Sequence, residues 1–293
     1  MDEHFEGFAD YLAHTLPALH ARLDIPPSRF CGGVSKAFRG IDAVVAAYDW
    51  RSRWLDENKG RHPSEDWVST KTSLNMLRKR LIEAISRTDE NDAEILQEIR
   101  RVLEWGGNRD WKRGAYPFLE TLLKRHELKA YLWKCREAFS LDNSTPHDLD
   151  SVVQMMNSML TKVHALLATD GLPIYDSRVA AAIATLAEQY RQTKRLANLP
   201  CSIKFPTVDG KFNSVRHVTE VYPEAVGAFQ LRYSHPDRNQ LWARAKWRLG
   251  KLMLMTLEKN PSILIMEGAL PSRCHAFEAA LFMLGYNPRC LKT

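Results

Sequence analysis

TKVHALLATDGLPIYDSRVAAAI, residues 161–183, is the stretch on which the fold reading turns. Pro173 disfavours α conformation at Leu172, so the helix that begins near Thr161 has to end before it. Ile174 and Tyr175 are apolar and are expected to pack inward. Asp176 then stands directly before SRVAAAIATLAEQY, in which Val179, Ile183 and Leu186 share one face at helical spacing. An aspartate at that place can accept hydrogen bonds from the free amides of the first turn, a contribution of about 0.5–2 kcal/mol. The positive end of the helix dipole also favours a negative charge there. Lys162 lies fourteen positions upstream, near the start of the preceding helix. A short helix and a tight turn between them would let Lys162 and Asp176 border one cleft.

Helical periodicity continues in both directions. Residues 3–22 carry Phe5, Phe8, Leu12, Leu16 and Leu19 at steps of three and four, which predicts one long helix. Ser64 is expected to open a second, striped by Trp67, Leu74, Leu77, Leu81 and Ile85. Thr88 begins TDENDAEILQEIRRVLEW, whose acidic start suits a helix N-terminus. Further helices are expected near 116–126, 127–140, 146–160, 161–169, 177–196, 237–259 and 272–285. Breaks fall at CGGVS (31–35), WGGNRDWKRG (105–114) and DNSTP (142–146). One segment reads as extended, CSIKFPTVDGKFNSVRHV (201–218), where Asp209-Gly210 could turn a short hairpin. The class predicted is mostly α, with a small β-hairpin.

Composition narrows the function. The chain of 293 residues can bury a sizeable core, and no apolar run reaches the roughly 18 residues that cross a bilayer. The amphipathic start MDEHFEGFADYL does not read as a secretion signal. Cys31, Cys135, Cys201, Cys274 and Cys290 are scattered, without a CxxC pair or a close group of four. Such a set argues against structural zinc, a disulfide framework and an iron–sulfur cluster, and fits a reducing cytoplasm. The histidines form no HxH or HExxH spacing, so no metal is expected. Phosphate-loop and dinucleotide fingerprints are absent, and GGVSKAFRG at 32–40 matches neither. No cofactor is expected. Lys and Arg number 41 against 35 Asp and Glu, a net charge of +6 that modestly favours a polyanionic partner.

The stretch around Asp176 resembles the core of the helix-hairpin-helix DNA glycosylase superfamily, in particular its 8-oxoguanine-glycosylase-like bacterial branch. In that superfamily a lysine opens the second hairpin helix of the lyase-competent members. An aspartate opens the next helix in a pattern like VDxHVxRV, which IYDSRVAAAI follows. VLEWGGNRD is similar to a tryptophan-containing segment of the same branch. The glycine-rich hairpin turn of the family is replaced here by MNSML. The resemblance is densest over about 30 residues and looser over 90–200. It implies a single two-lobed helical domain over 1–293, with a core at 90–200 and a second lobe from the N- and C-terminal helices. It also implies base excision from DNA, with Asp176 as the catalytic carboxylate and Lys162 as nucleophile or electrostatic partner. Some members of the group defend bacteria by excising modified bases from phage DNA. A hypermodified phage cytosine or an oxidised guanine is therefore the expected substrate, DNA the expected partner, and a monomer the expected state.

Candidate DNA contacts follow from the need to hold an extruded base between aromatic or apolar groups. EWGGNRDWKRGAY supplies Trp105, Trp111 and Tyr116 beside Arg109, Lys112 and Arg113, with Gly106 and Gly107 allowing close backbone approach. The same segment could equally be a helix end anchored by its tryptophans. Tyr175 and Arg178 flank Asp176. On RNQLWARAKWRLGKLM, Arg244, Arg248 and Lys251 share a basic face that could follow a phosphate backbone or simply be solvated. The basic run Arg78, Lys79 and Arg80 reads as a solvated face. His164 is expected to point away from Lys162, and Glu188 and Arg191 read as surface charges. Two other readings stay open: a non-catalytic helical DNA-binding protein on the same scaffold, and a helical partner-binding protein in which Asp176 only caps.

Overall fold

The computed structural model describes residues 2–89, 91–108, 110–208, 218–225, 230–232 and 234–292, and is mostly helical with small two-stranded sheets. Helix α1 (Glu3–Thr15) is capped by Asp2, whose carboxylate accepts from the Phe5 amide at 3.0 Å. It is shorter than its apolar spacing predicts. Pro17 cannot sit inside a helix, so Leu16–Ala18 tighten into a 3-10 turn and the chain becomes extended. Strands β1 (His20–Ile25) and β2 (Val34–Arg39) then pair antiparallel, with Ala21, Leu23 and Ile25 turned inward on a period of two. The short helix α2 (Ile41–Ala46) follows.

A second antiparallel hairpin, β3 (Ser52–Leu55) and β4 (Arg61–Ser64), was equally hidden in the sequence. Apart from Trp54 and Leu55 its strand residues are charged or polar or, at Pro63, proline, so no strand pattern marks it. Tertiary and local contacts make it: Asp56 Oδ1 accepts from the amides of Asn58 (2.9 Å) and Gly60 (2.7 Å), and Trp54 stacks on His62 at 4.2 Å. Ser64 is therefore a strand residue, and α3 (Trp67–Ser86) is opened by a capping box of Asp66 and Ser69. Helix α4 (Asp92–Trp105) likewise starts after Thr88.

Helices α5 (Tyr116–Lys124) and α6 (Leu128–Ala138) lie where expected, but the helix expected over 146–160 shrinks to α7 (Asp148–Val152). The Asn157 side chain accepts from the amides of Met159 (2.9 Å) and Leu160 (3.0 Å), closing the following turn and starting α8 (Leu160–Leu167). Helix α9 (Ser177–Thr193) comes next. The expected extended segment opens instead as a 3-10 turn (Cys201–Ile203), and its described residues then hold the short strand β5 (Thr207–Val208), which pairs parallel with β6 (Gln230–Leu231) after the short helix α10 (Val218–Val221). The expected Asp209-Gly210 turn lies outside the described residues. Helices α11 (Arg238–Lys259) and α12 (Leu270–Leu284) complete the chain.

Two groups of helices meet at the site. Helix α3 packs on α4 and α8, and α4 on α6 and α8; α9 packs against α12 and α1, with α11 against α1 and α12. Helix α9 is buried on nearly every side, and its alanines (Ala180, Ala181, Ala182, Ala184, Ala187) let the neighbouring helices approach closely. Glu188 and Arg191 belong to this interior and are not the surface charges their types suggest. Glu188 is 1% exposed, with Arg191 bound bidentately at 2.8 Å and Gln192 at 2.9 Å. Among the described residues no helix is long and apolar enough to cross a membrane.

Candidate active site

The start of α8 and the start of α9 are tied together from behind. The Tyr175 amide donates to Thr161 Oγ1 at 2.8 Å, and Trp242 Nε1 donates to the Tyr175 carbonyl at 3.0 Å. One turn further along α11, the fully buried Lys246 ammonium donates to the carbonyls of Thr161 (3.1 Å) and Pro173. Burial lowers its pKa to about 7, against the pull of Glu278 and Asp170 and aided by Lys162. The turn between the helices passes Gly171, at φ +88°, where an added Cβ would lie 2.8 Å from Cys274 Cβ and 3.0 Å from Pro271 Cα. Only glycine fits that backbone against α12.

Asp176 caps α9 as expected. Its Oδ1 accepts from the amides of Arg178 (2.8 Å) and Val179 (3.1 Å), and Oδ2 has no hydrogen-bond partner among the described residues. The residue is 8% exposed and lines a cleft of about 200 Å³. Lys162 lines the same cleft, half-buried, with Nζ donating to the Ser158 carbonyl at 2.6 Å. Burial lowers the Lys162 pKa, the carboxylates of Asp176 and Glu278 oppose this, and Arg178 adds to it. Gly106, at the end of α4, faces the stem of this lysine; a Cβ there would sit 2.7 Å from Cδ and 2.8 Å from Cε.

The remaining walls come from distant parts of the chain. Tyr48 and Trp50 arrive from the segment after α2, Trp105 from α4, and Phe282 and Glu278 from α12. Trp50 meets Phe282 edge-on with centroids 5.3 Å apart, and Tyr48 lies 5.8 Å from Phe282. Arg178 places its guanidinium against Trp50 (4.8 Å), Phe282 (4.7 Å) and Tyr286 (4.1 Å). Glu278 is 8% exposed, and its carboxyl accepts from the Ile174 amide through Oε2 at 3.3 Å. Burial raises its pKa to about 8, with Asp176 adding to the rise and the Ile174 amide, Lys246 and Lys162 opposing it.

Beside this cleft lies a second, of about 520 Å³, lined by Arg29, Arg51, Arg53 and Arg61 together with Glu65, Glu104 and Gly107. The Gly106–Gly107 step and the stacked pair Phe30–Trp50 (4.6 Å) join the two. Comparison with descriptions of protein families, with curated proteins and with solved structures gives no match.

The structure thus brings together Asp176, Lys162, Trp105, Gly106 and Arg178, with Gly107 at the neighbouring edge. Other candidates are placed elsewhere. Trp111 is partly exposed, tilted against Tyr116 at 4.5 Å and under Arg100 at 4.3 Å, and lines neither cleft. Lys112 and Arg113 are exposed beyond it, Arg113 with Asp110 at 3.3 Å. Arg109 lies outside the described residues. Tyr175 is a correction: it is fully buried, donates from its hydroxyl to the Pro206 carbonyl at 2.9 Å, and cannot reach a ligand. Arg244 and Arg248 do not form a free basic face. Arg244 pairs bidentately with Asp150, and Arg248 donates to the carbonyls of Cys201 (2.6 Å), Ser202 (3.3 Å) and Lys204 (2.9 Å). His164 is buried against Phe139, 5.0 Å between centroids.

Tyr48, Trp50, Glu278, Phe282 and the four arginines were missed. Helix 272–285 carried one signal: Glu278 is the only acidic residue in LPSRCHAFEAALFML, an otherwise largely apolar run. Trp50 and the arginines had none: Arg29 lies in the connection between β1 and β2, and the hairpin that carries Arg53 and Arg61 directly after Trp50 and Arg51 has no legible pattern. Among the described residues no group of three or more His, Cys, Asp or Glu is placed to hold a metal ion.

Proposed function

We propose that the protein is a DNA N-glycosylase that hydrolyses the bond between a modified base and deoxyribose. The observation that carries this reading is Asp176. One carboxylate oxygen is held by two helix amides while the other has no hydrogen-bond partner among the described residues, at the wall of an aromatic-sided cleft that also holds Lys162. Cleavage of an N-glycosidic bond builds positive charge on the sugar, as in glycoside hydrolysis. A fixed carboxylate beneath the sugar stabilises that charge and takes the proton of the attacking water. Tyr48, Trp50, Trp105 and Phe282 supply faces against which an extruded base can stack.

Lys162 serves this reading in two ways. Its charge balances the carboxylates around it, and its lowered pKa is what an amine nucleophile needs to attack the sugar and form a Schiff base. The arginine-lined cleft offers the phosphate-facing surface that the family places at its glycine-rich hairpin. In this chain that hairpin is closed by the Asn157 side chain instead. The two-lobed helix-hairpin-helix architecture, and a phage hypermodified cytosine or an oxidised guanine as target, belong to the same proposal.

The test is incubation of the protein with duplexes bearing normal, oxidised, deaminated and glucosylated bases. Release of free base, abolished in Asp176→Asn, supports the proposal. DNA binding without base release from any duplex favours a non-catalytic binding protein. Borohydride trapping reports on Lys162, because only a Schiff base leaves a covalent protein–DNA adduct.

A further inference from the structure

We infer that Glu278 is the proton donor of this cleft, protonating the departing base while Asp176 acts at the sugar. The inference rests on the glycosylase reading and goes beyond it, since a second carboxyl with its own role also defines the class of base removed.

The geometry comes first. Glu278 projects from α12 into the cleft that Asp176 lines, one helical turn before Phe282 on the same helix. Its Oε2 is held by the Ile174 amide, two residues before Asp176, so both carboxyls are fixed by one short segment. Oε1 has no hydrogen-bond partner among the described residues. The walls beside it are Tyr48, Trp50 and Phe282, which pack on one another as one aromatic surface against which a flat base would lie. An extruded base would therefore meet Glu278 at its edge while its sugar meets Asp176.

The electrostatics separate the two carboxyls in function. Among the described residues, Asp176 at the start of α9, Lys162 on α8 and Lys246 on α11 act on Glu278, Tyr48 after α2 feels its charge, and Arg178 lines the same cleft. Burial and the Asp176 carboxylate outweigh the two ammonium groups and the Ile174 amide, so Glu278 holds its proton up to about pH 8. Two neighbouring carboxyls, one kept protonated and one serving as carboxylate, are the pattern of an acid and a base assigned by environment.

The step balances. The C1′–N bond breaks with its electron pair passing to the base nitrogen, and the Glu278 proton moves to an acceptor atom of the base, which leaves neutral. Water adds to C1′ and its proton passes to Asp176. Solvent then returns a proton to Glu278 and removes one from Asp176. Such an acid is needed most by bases that are poor leaving groups as anions, the amino-bearing, cytosine-like class, and least by bases that depart readily as stable anions.

The test is Glu278→Gln in the full chain, assayed on the duplex from which the wild-type protein releases base fastest, between pH 5 and 9.5. Glutamine keeps an oxygen for the Ile174 amide but has no proton to give. Wild-type release is expected to fall as pH rises through about 8. The variant is expected to be slower by about 10²–10⁴-fold below that pH, with no decline near 8 in what remains. An unchanged or raised melting temperature shows that the variant is folded. Wild-type rates in Glu278→Gln, or the same fall near pH 8 in its residual activity, overturn the inference while leaving the glycosylase reading intact. If the wild-type protein releases no base from any duplex, that reading fails and this inference fails with it.

Discussion

Replacing Asp176 by asparagine and by alanine separates the two roles that the residue combines. In the wild-type protein Oδ1 accepts from the amides of Arg178 at 2.8 Å and Val179 at 3.1 Å. Asparagine keeps an oxygen in that place and ranks with aspartate as an N-cap. It loses only the attraction between a negative charge and the helix N-terminus, about 0.3–1 kcal/mol. At a pH above about 8, where Glu278 is ionised, removing that charge also relieves its repulsion with Glu278 and weakens its attraction to Lys162, effects of opposite sign. The net change expected for Asp176→Asn is therefore under about 1 kcal/mol. Alanine leaves both amides without their acceptor and should cost about 0.5–2 kcal/mol. For a chain of this size each kcal/mol lowers the melting temperature by about 2–4 °C, so the two variants are distinguishable by thermal melting. Base release should instead fall alike in both, by about 10²–10⁴-fold, because both lack the carboxylate. Asp176→Asn releasing base at the wild-type rate would refute the reasoning and leave the residue a cap alone.

Three further outcomes follow from the packing and charge of the site. Gly285 ends α12 against the start of α9, and an added Cβ would strike the Arg178 carbonyl oxygen and lie 2.9 Å from its Cα. Gly285→Ala should cost about 1–3 kcal/mol in thermal or denaturant unfolding and slow base release by shifting the turn that carries Asp176. Arg53→Gln with Arg61→Gln removes two cations from the arginine-lined cleft. It should weaken DNA binding and reduce the slope of log affinity against log salt by about 2, with melting temperature little changed. Glu278 binds its proton more tightly folded than unfolded, its pKa being raised from 4.5 to about 8, so its contribution to stability is lost as pH rises between those values. Glu278→Gln should remove that decline and be more stable than wild type at pH 8 and above, by at most about 5 kcal/mol, converging with it near pH 4.5.

Local chemistry written in neighbouring residues was legible in the chain. Pro173, the apolar pair Ile174–Tyr175 and Asp176 announced where α9 begins, and the helical stripes placed most helices to within a few residues. Even there, short-range competition escaped notice: Pro17 cut the first helix, and the Asn157 side chain closed a turn where a helix was expected to run on. Residue type misled where charge met burial. Glu188, Arg191, Arg244 and Arg248 look like surface residues, yet each is engaged by a partner that only folding brings within reach or fixes in place.

The cleft itself was decided by tertiary structure. Its lining is gathered from residues 48–50, 105–106, 158–178 and 278–282, and no local pattern can say that these separate stretches face one another. By itself the sequence determined a helical chain with a carboxylate at a helix start and a lysine one short helix before it. Hydrogen bonds to the first turn depend on neighbours in the chain, so they can be read from the chain. The aromatic walls, the second carboxyl and its altered proton affinity depend on burial among distant side chains, and only the folded structure supplies that.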